Sequence, residues 1–116
     1  MKPGPDPSSA EDVRWGELAT EFLKLPDVTL GRAFSRNSLK VGGKLFAAAG
    51  HGSLLIKIGA DRVAELIANG QGLPFSIGGD RVMREWVAAT ADADWIALAG
   101  ESLTFVAGRA AAGSGV

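Results

Sequence analysis

The chain has 116 residues, of which 47% are hydrophobic, with a formal net charge of −1 and no cysteine. This length fits one domain with a hydrophobic core, and the lack of cysteine excludes disulfides, a thiolate nucleophile and zinc sites built on sulfur. The lack of cysteine also suits a reducing cytoplasm, where we expect the protein to be. No segment approaches the roughly 18 consecutive apolar residues that would span a bilayer, so we expect no membrane partner.

Both ends of the chain are expected to be irregular. Residues 1–8 contain three prolines and a glycine, which predicts a disordered leader. The small residues at 110–116 predict a flexible tail. A single folded domain is therefore expected over residues 9–109.

The first predicted helix begins near Ser8 or Ser9, because Ser8 and Glu11 stand in capping-box spacing. Pro26 predicts its end. Trp15 breaks the main apolar stripe of this helix and fits either edge packing or an interface. The apolar residues that form the predicted stripe are Val13, Leu18, Ala19, Phe22 and Leu25.

Apolar runs separated by glycines predict an antiparallel sheet in the middle of the chain. Gly42 and Gly43 have the freedom at positive φ that suits a two-residue hairpin turn. Alternation in the last two runs places successive residues on opposite faces, although the inner face of the final run stays undecided. The predicted strands are Thr29–Phe34, whose far boundary is open, Leu39–Val41, Lys44–Ala49, Ser53–Ile58 and Arg81–Thr90.

Two further helices follow from capping residues and helical spacing. Asp61 is a candidate N-cap of a short helix that Asn69 and Gly70 end. Asp92 or Asp94 is the candidate N-cap of the last helix, whose apolar residues also recur at helical spacing.

The predicted elements define an α+β fold class. Gly72–Phe75 and Gly78–Asp80 read as loops because they combine glycine with proline or with a second glycine and aspartate. We expect an antiparallel sheet of about four to five strands flanked by three helices, in the order α-β-β-β-α-β-α.

The basic residues concentrate in the middle of the chain. Residues 32–84 hold eight lysines and arginines against three acidic residues, whereas residues 1–31 and 85–116 are net acidic. Such a field attracts a phosphate backbone or another anion, and it also arises when helices and sheet complement each other within one fold or across a dimer. The candidate nucleic-acid or anion contacts are Arg32, Arg36, Lys40, Lys44, Lys57, Arg81 and Arg84.

Trp86 is the aromatic residue that we expect to contact a partner or ligand. It follows the charged residues Arg84 and Glu85, which predicts a partly exposed indole. If both side chains share an exposed face with Lys44 or Lys57, a nucleic-acid strand would find stacking and charge together. Trp95, in contrast, is expected in the core.

The residues that usually carry catalysis form no recognisable set. His51 is the one histidine and lies between glycines, which is typical of a solvated turn. Helix capping accounts for Asp92 and Asp94. The sequence has no Gly-x-Ser-x-Gly elbow, and neither Gly42–Gly43 nor Gly78–Gly79 fits a phosphate-binding loop. We therefore expect no enzyme activity, no cofactor and no metal.

An ordered set of segments spans about residues 25 to 107. The segments are Arg32–Phe34, Val41–Ala47, Leu55–Lys57, the predicted helix Arg62–Gly70, Gly72–Phe75, and Trp86 followed by Trp95 and Leu98–Val106. In order and spacing, the set resembles the N-terminal domain of the TfoX/Sxy family. Leu25-Pro-Asp-Val28 and the single-domain length are also similar to the MmcQ/YjbR group, which is described as having a double-wing motif and predicted to bind DNA.

The resemblance implies an α+β domain in which helices flank an antiparallel sheet, and an association with competence-gene regulation rather than catalysis. The chain departs from the family at Ser35, because the family pattern Arg-Met-Phe-Gly is here Arg32-Ala-Phe-Ser. No room remains after Val116 for the second domain of full-length members, so regulatory action that needs that domain is not expected of this chain alone.

These observations favour a non-enzymatic binding or regulatory domain of TfoX/Sxy N-terminal type, related to transcription and acting through protein or nucleic-acid contacts. One alternative is a homodimer in which the acidic helices of one copy meet the basic sheet of the other. A second is a small-molecule-binding protein that uses Trp86 and the glycine-rich loop Gly70–Gly79.

Overall fold

Three helices and six strands make up the part of the chain that the computed structural model describes, residues 7–33, 36–50, 52–76 and 82–114. This confirms the predicted α+β class, with more strands than expected. Predicted features at His51, Gly78–Asp80 and Arg81 lie outside the described residues. In chain order the elements are α1 (Pro7–Phe22), β1 (Val28–Ala33), β2 (Arg36–Val41), β3 (Lys44–Ala49), β4 (Leu54–Lys57), α2 (Ala60–Ala68), β5 (Gly72–Ser76), β6 (Val82–Ala89) and α3 (Trp95–Ser114).

The strands form one antiparallel sheet in the spatial order β1-β2-β3-β4-β6-β5. Gly42 and Gly43 join β2 to β3 at φ values of 56° and 80°, so the predicted two-residue turn is confirmed. Leu54, Ile56 and Ile58 are buried in the main core, which confirms the face predicted for them. We call this side of the sheet the helix face, because α1, α2 and α3 all contribute to the same core.

The buried stripe of α1 differs from the predicted one. Val13 is 61% exposed, and Leu25 lies beyond the helix and is exposed as well. Trp15 belongs to the core instead of breaking the stripe. Among residues 13–22 of α1, the buried ones are Trp15, Leu18, Ala19 and Phe22, whose spacing of three, four and seven places them on one helical face.

A β-bulge in β3 turns an additional aromatic side chain into the core. Leu39 pairs with Ala47 and Lys40 with Leu45, so Phe46 is the extra residue of β3. Its ring is fully buried and packs edge-on against the ring of Phe22, with 5.9 Å between centroids. The bulge thereby connects the central sheet to α1.

The segment Gly72–Phe75, predicted as a loop, belongs to an edge strand. β5 pairs with β6, and Pro74 is tolerated because an edge strand leaves one row of N–H groups outside the ladder. Gly72 is buried: a Cβ atom there would stand 2.6 Å from Cγ2 of Val87 and 3.1 Å from Cβ of Leu66. The prediction of a loop was wrong because glycine and proline, which usually mark turns, here fit an edge strand: Gly72 allows close packing, and Pro74 lies in a strand with unpaired N–H positions.

Of the two predicted helix caps, the structure confirms Asp94 and replaces Asp61 with Gly59. Asp94 caps α3, since its Oδ1 accepts a hydrogen bond of 3.1 Å from the backbone N of Ala97. Asp61 does not cap α2, because Gly59 is the N-cap and the helix begins at Ala60, two residues earlier than a cap at Asp61 would place it. Its carboxylate lies in the first turn, where the helix dipole favours negative charge.

Two arginines connect the helices to the rest of the fold. Arg14 donates from Nη1 to Ala91 O and from Nη2 to Ala93 O, both at 2.6 Å, while its Cζ lies 3.9 Å from the centroid of the Trp95 ring. Arg62 of α2 binds both carboxylate oxygens of Glu101 in α3, at 2.9 and 3.2 Å. Hydrogen bonds to Glu101, and then to Glu65, raise the pKa of the Arg62 guanidinium above its ordinary value.

We predict opposite effects for one substitution at two glycines. Gly72→Ala should destabilise the protein by about 1–3 kcal/mol, because the new methyl group overpacks against Val87 and Leu66. Gly16→Ala should stabilise it by about 0.5–1 kcal/mol, because Gly16 is an exposed helix residue with no atom within 4 Å of the added Cβ. Urea unfolding of both variants measures the difference, and equal signs would contradict this account of β5.

Candidate functional site

The strands β3 and β4 separate at one end of the sheet. Their pairing includes Ala49 with Leu54, Ala48 with Leu55 and Ala47 with Ile56, and it stops before Phe46 and Lys57. β4 continues alongside β6, where Lys57 pairs with Trp86. The central ladder of the sheet is therefore open at this end between β3 and β4.

The hydroxyl of Ser102 occupies the point where the two strands separate. Its Oγ lies 2.7 Å from Phe46 O and 2.5 Å from Lys57 O, so its single proton is shared between these carbonyls. Ser102 is fully buried on α3. An unpaired buried carbonyl costs free energy, and this side chain satisfies two that the ladder leaves unpaired.

A cleft of about 410 Å³ opens where β3, β4 and α3 diverge. Residues from both faces of the sheet line it. Lys44 pairs with Val41 and therefore belongs to the helix face. Leu45, Lys57 and Trp86 belong to the opposite face, which we call the open face. We call it the cationic cleft, and its lining residues are Lys44, Leu45, Lys57, Trp86, Phe105, Val106 and Arg109.

The three cations of the cleft differ in their partners. Neither Lys44 nor Lys57 makes an ion pair with any described residue, and Lys44 is exposed while Lys57 is half-buried. Arg109 Nη1 contacts both carboxylate oxygens of Glu85, at 2.7 and 2.8 Å, and its Cζ lies 5.3 Å from the centroid of the Phe105 ring. One cation is therefore held in place and two are available to a bound anion.

A second, smaller cavity of about 310 Å³ shares a wall with the cleft. It is lined by Lys57, Val82, Met83, Arg84, Glu85 and Trp86. Arg84 is exposed and, within the described part of the chain, has no ion-pair partner. Lys57 and Trp86 line both cavities, so Lys44 and Arg84 belong to neighbouring cavities that share one wall.

The indole of Trp86 is 5% exposed, which corrects the prediction of a partly exposed ring. It forms a buried cluster with Ala48 and Leu55 on the open face, and its centroid is 6.3 Å from that of Phe75. A ring enclosed in this way has no free face on which a base could stack. The predicted combination of stacking and charge at Trp86 is thus reduced to charge alone. Trp95 is buried in the main core, as predicted.

The remaining predicted contact residues lie elsewhere. Arg32 is exposed near the far end of β1, and Arg36 begins β2 at that same end, opposite to the end that carries Lys44. Lys40 extends along β1, since a Cβ on Gly31 would be 2.8 Å from its Cε. Arg81 lies outside the described residues. Among the residues that the structure describes, the predicted cations are therefore divided between the two ends of β2.

Sequence reasoning missed two members of the site, Ser102 and Arg109. Ser102 was visible as the polar residue within an otherwise apolar helical stripe, a pattern that signals a buried hydroxyl with a specific partner. Arg109 follows Phe105 by four residues and so shares its helix face. Their pairing with Phe46 O and Glu85 could not be read from the chain, because both contacts are long-range.

Comparisons with known proteins add no relative. No protein-family model, characterised protein or solved structure gives a significant match to this chain. The resemblance to the TfoX/Sxy N-terminal domain stays a prediction.

Two further surveys cover the described residues only. They contain no group of three or more histidine, cysteine, aspartate or glutamate side chains that could hold a metal ion. No helix among them is long and apolar enough to cross a membrane.

We predict that Ser102→Ala destabilises the fold by about 1–3 kcal/mol, because two buried carbonyls lose their donor. Thr104→Ala is the matched control, since Thr104 is exposed on the same helix. Urea unfolding followed by circular dichroism gives both values. A loss for Ser102→Ala no larger than that of the control would show that the hydroxyl does not hold the strands.

Proposed function

We propose that the chain is a non-enzymatic binding domain of TfoX/Sxy N-terminal type, with a regulatory role related to transcription. It contacts an acidic segment of a partner protein through Lys44, Lys57 and Arg84. The observation that carries this proposal is the position of three cations around the Trp86 wall without carboxylate partners among the described residues. The lack of cysteine supports a cytoplasmic setting.

The geometry supports a protein partner over a nucleic acid. A surface that binds single-stranded nucleic acid combines a basic groove with aromatic rings on which bases stack. The ring of Trp86 is enclosed and cannot serve in this way. Arg32 and Arg36 stand at the opposite end of the sheet, which divides the positive charge instead of extending it along a track. A compact group of lysines beside apolar walls suits a short acidic and apolar segment.

Binding should be tested with two labelled probes of equal charge, a short peptide of alternating glutamate and leucine and a single-stranded oligonucleotide. We expect the peptide to bind at low ionic strength and to weaken as salt screens the lysines. Lys44→Gln combined with Lys57→Gln should weaken it at least about tenfold, by loss of charge-assisted hydrogen bonds. Fluorescence anisotropy provides the measurement.

Lys24→Gln is the matched control, because Lys24 pairs with Glu21 near the end of α1 and does not line the cleft. Tighter binding of the oligonucleotide, lost in the double variant, would replace the protein partner with a nucleic acid. Binding that the double variant leaves unchanged would remove this surface from the proposal.

Self-association is a second candidate, and an acidic groove favours it. A surface depression of about 760 Å³ is lined by Val13, Gly16, Glu17, Thr20, Glu21 and Ile96, with Val13 61% and Ile96 51% exposed. Its two glutamates and exposed apolar rim complement the lysines and apolar walls of the cationic cleft. A cleft-to-groove contact between copies would be head-to-tail, because the two surfaces differ.

If copies associate in this way, sedimentation should show a mass that rises with protein concentration and falls with added salt. Glu17→Gln combined with Glu21→Gln should lower association as much as the double lysine variant does, since each removes one side of the same contact. A monomer at every concentration would exclude it.

A further inference from the structure

The cationic cleft has the size and walls of a small-ligand site. Its volume of about 410 Å³ falls within the about 300–1,000 Å³ of ligand pockets. Leu45, Trp86, Phe105 and Val106 provide apolar and aromatic walls. Trp86 is fixed by the open-face cluster, and Phe105 packs over Gly59, where a Cβ would lie 3.4 Å from the ring. These walls are formed by packed elements and not by a loop.

The charge of the site is positive and localised. Lys44 and Lys57 have no ion-pair partner among the described residues, and Glu85 is engaged with Arg109. The two available ammonium groups come from β3 and β4, on the two sides of the strand separation. A bound anion would therefore contact lysine on both sides while its body meets the apolar walls.

The donors of the cleft suit a carboxylate better than a phosphate. Its helix, α3, contributes residues from the interior of the helix, where backbone N–H groups are already used in the helical ladder. Phosphate sites commonly use free N–H groups at a helix N-terminus or in a glycine-rich loop. Two lysine side chains suit the two oxygens and single charge of a carboxylate, whereas a phosphate monoester presents a third terminal oxygen and a larger charge.

We propose that the cationic cleft binds a small organic carboxylate with a flat apolar or aromatic body. The body lies between Leu45 and Phe105, beside the small part of Trp86 that lines the cleft, and the carboxylate accepts hydrogen bonds from Lys44 and Lys57. This inference does not depend on the partner protein proposed above. A ligand in the cleft would occupy the same lysines and so compete with such a partner.

The test is a titration of the whole chain, labelled with the NMR-active nitrogen isotope, with phenylpropionate. Two-dimensional spectra follow the backbone amide and indole N–H signals. Phenylpropionamide, which lacks the charge, and acetate, which lacks the ring, are the matched probes. We expect phenylpropionate to shift the indole N–H signal of Trp86 and the amide signals of Leu45 and Phe105. The indole signals of Trp15 and Trp95, both in the main core, should stay in place. Trp86→Phe assigns the moving indole.

Phenylpropionamide and acetate should each bind at least about tenfold more weakly than phenylpropionate, because each lacks one of the two contributions. Lys57→Gln should weaken the binding of phenylpropionate to a similar degree. Lys44→Gln should also weaken it, and this variant is an independent check because Lys44 is exposed. Equal binding of the amide, shifts centred on the acidic groove, or no shift at the cleft would each overturn the proposal. Phenylpropionate binding without peptide binding would leave this inference standing and refute the proposed partner.

Discussion

The structure depends on one hydroxyl shared by two carbonyls. Between β3 and β4 the sheet could continue its ladder through Phe46 and Lys57, but their carbonyl oxygens turn to Ser102 instead. Because buried carbonyls need a donor, the strands can separate only where a side chain from α3 supplies one. The separation creates the cleft, so the cationic cleft follows from a single polar residue in an apolar helix.

The same region explains how a chain of net charge −1 can present positive charge. Two nearby carboxylates are engaged by arginines and not by the lysines: Glu101 binds Arg62 between two helices, and Glu85 binds Arg109 at the edge of the cleft. Lys44 and Lys57 have no counterion among the described residues. Surface ion pairs contribute little stability, so these pairings matter mainly for where they leave charge uncompensated.

Sequence reasoning located most of the elements because their signals are local. The hairpin at Gly42 and Gly43 and the cap at Asp94 each depend on residues that are adjacent in the chain. It failed where tertiary context decides. Pro74 belongs to a strand only because that strand is at the edge, and the indole of Trp86 is buried only because neighbouring strands surround it. For the site, the basic middle of the chain indicated which lysines and arginines are candidates. Which of them lie near each other depends on the pairing register of the strands, which the sequence does not show.

That register separates two groups of cations in the sheet. Val41 faces Lys44 across the hairpin turn, and Ala33 faces Arg36 at the other end of β2, so the length of β2 keeps the two groups of cations apart. A surface that follows a phosphate backbone needs charge at regular intervals, whereas the cleft concentrates it beside rigid apolar walls. Concentrated charge with an adjacent apolar surface recognises one anionic group and its attached body. The architecture therefore favours anchoring of a single amphipathic acid, free or within a protein, over binding along a polymer.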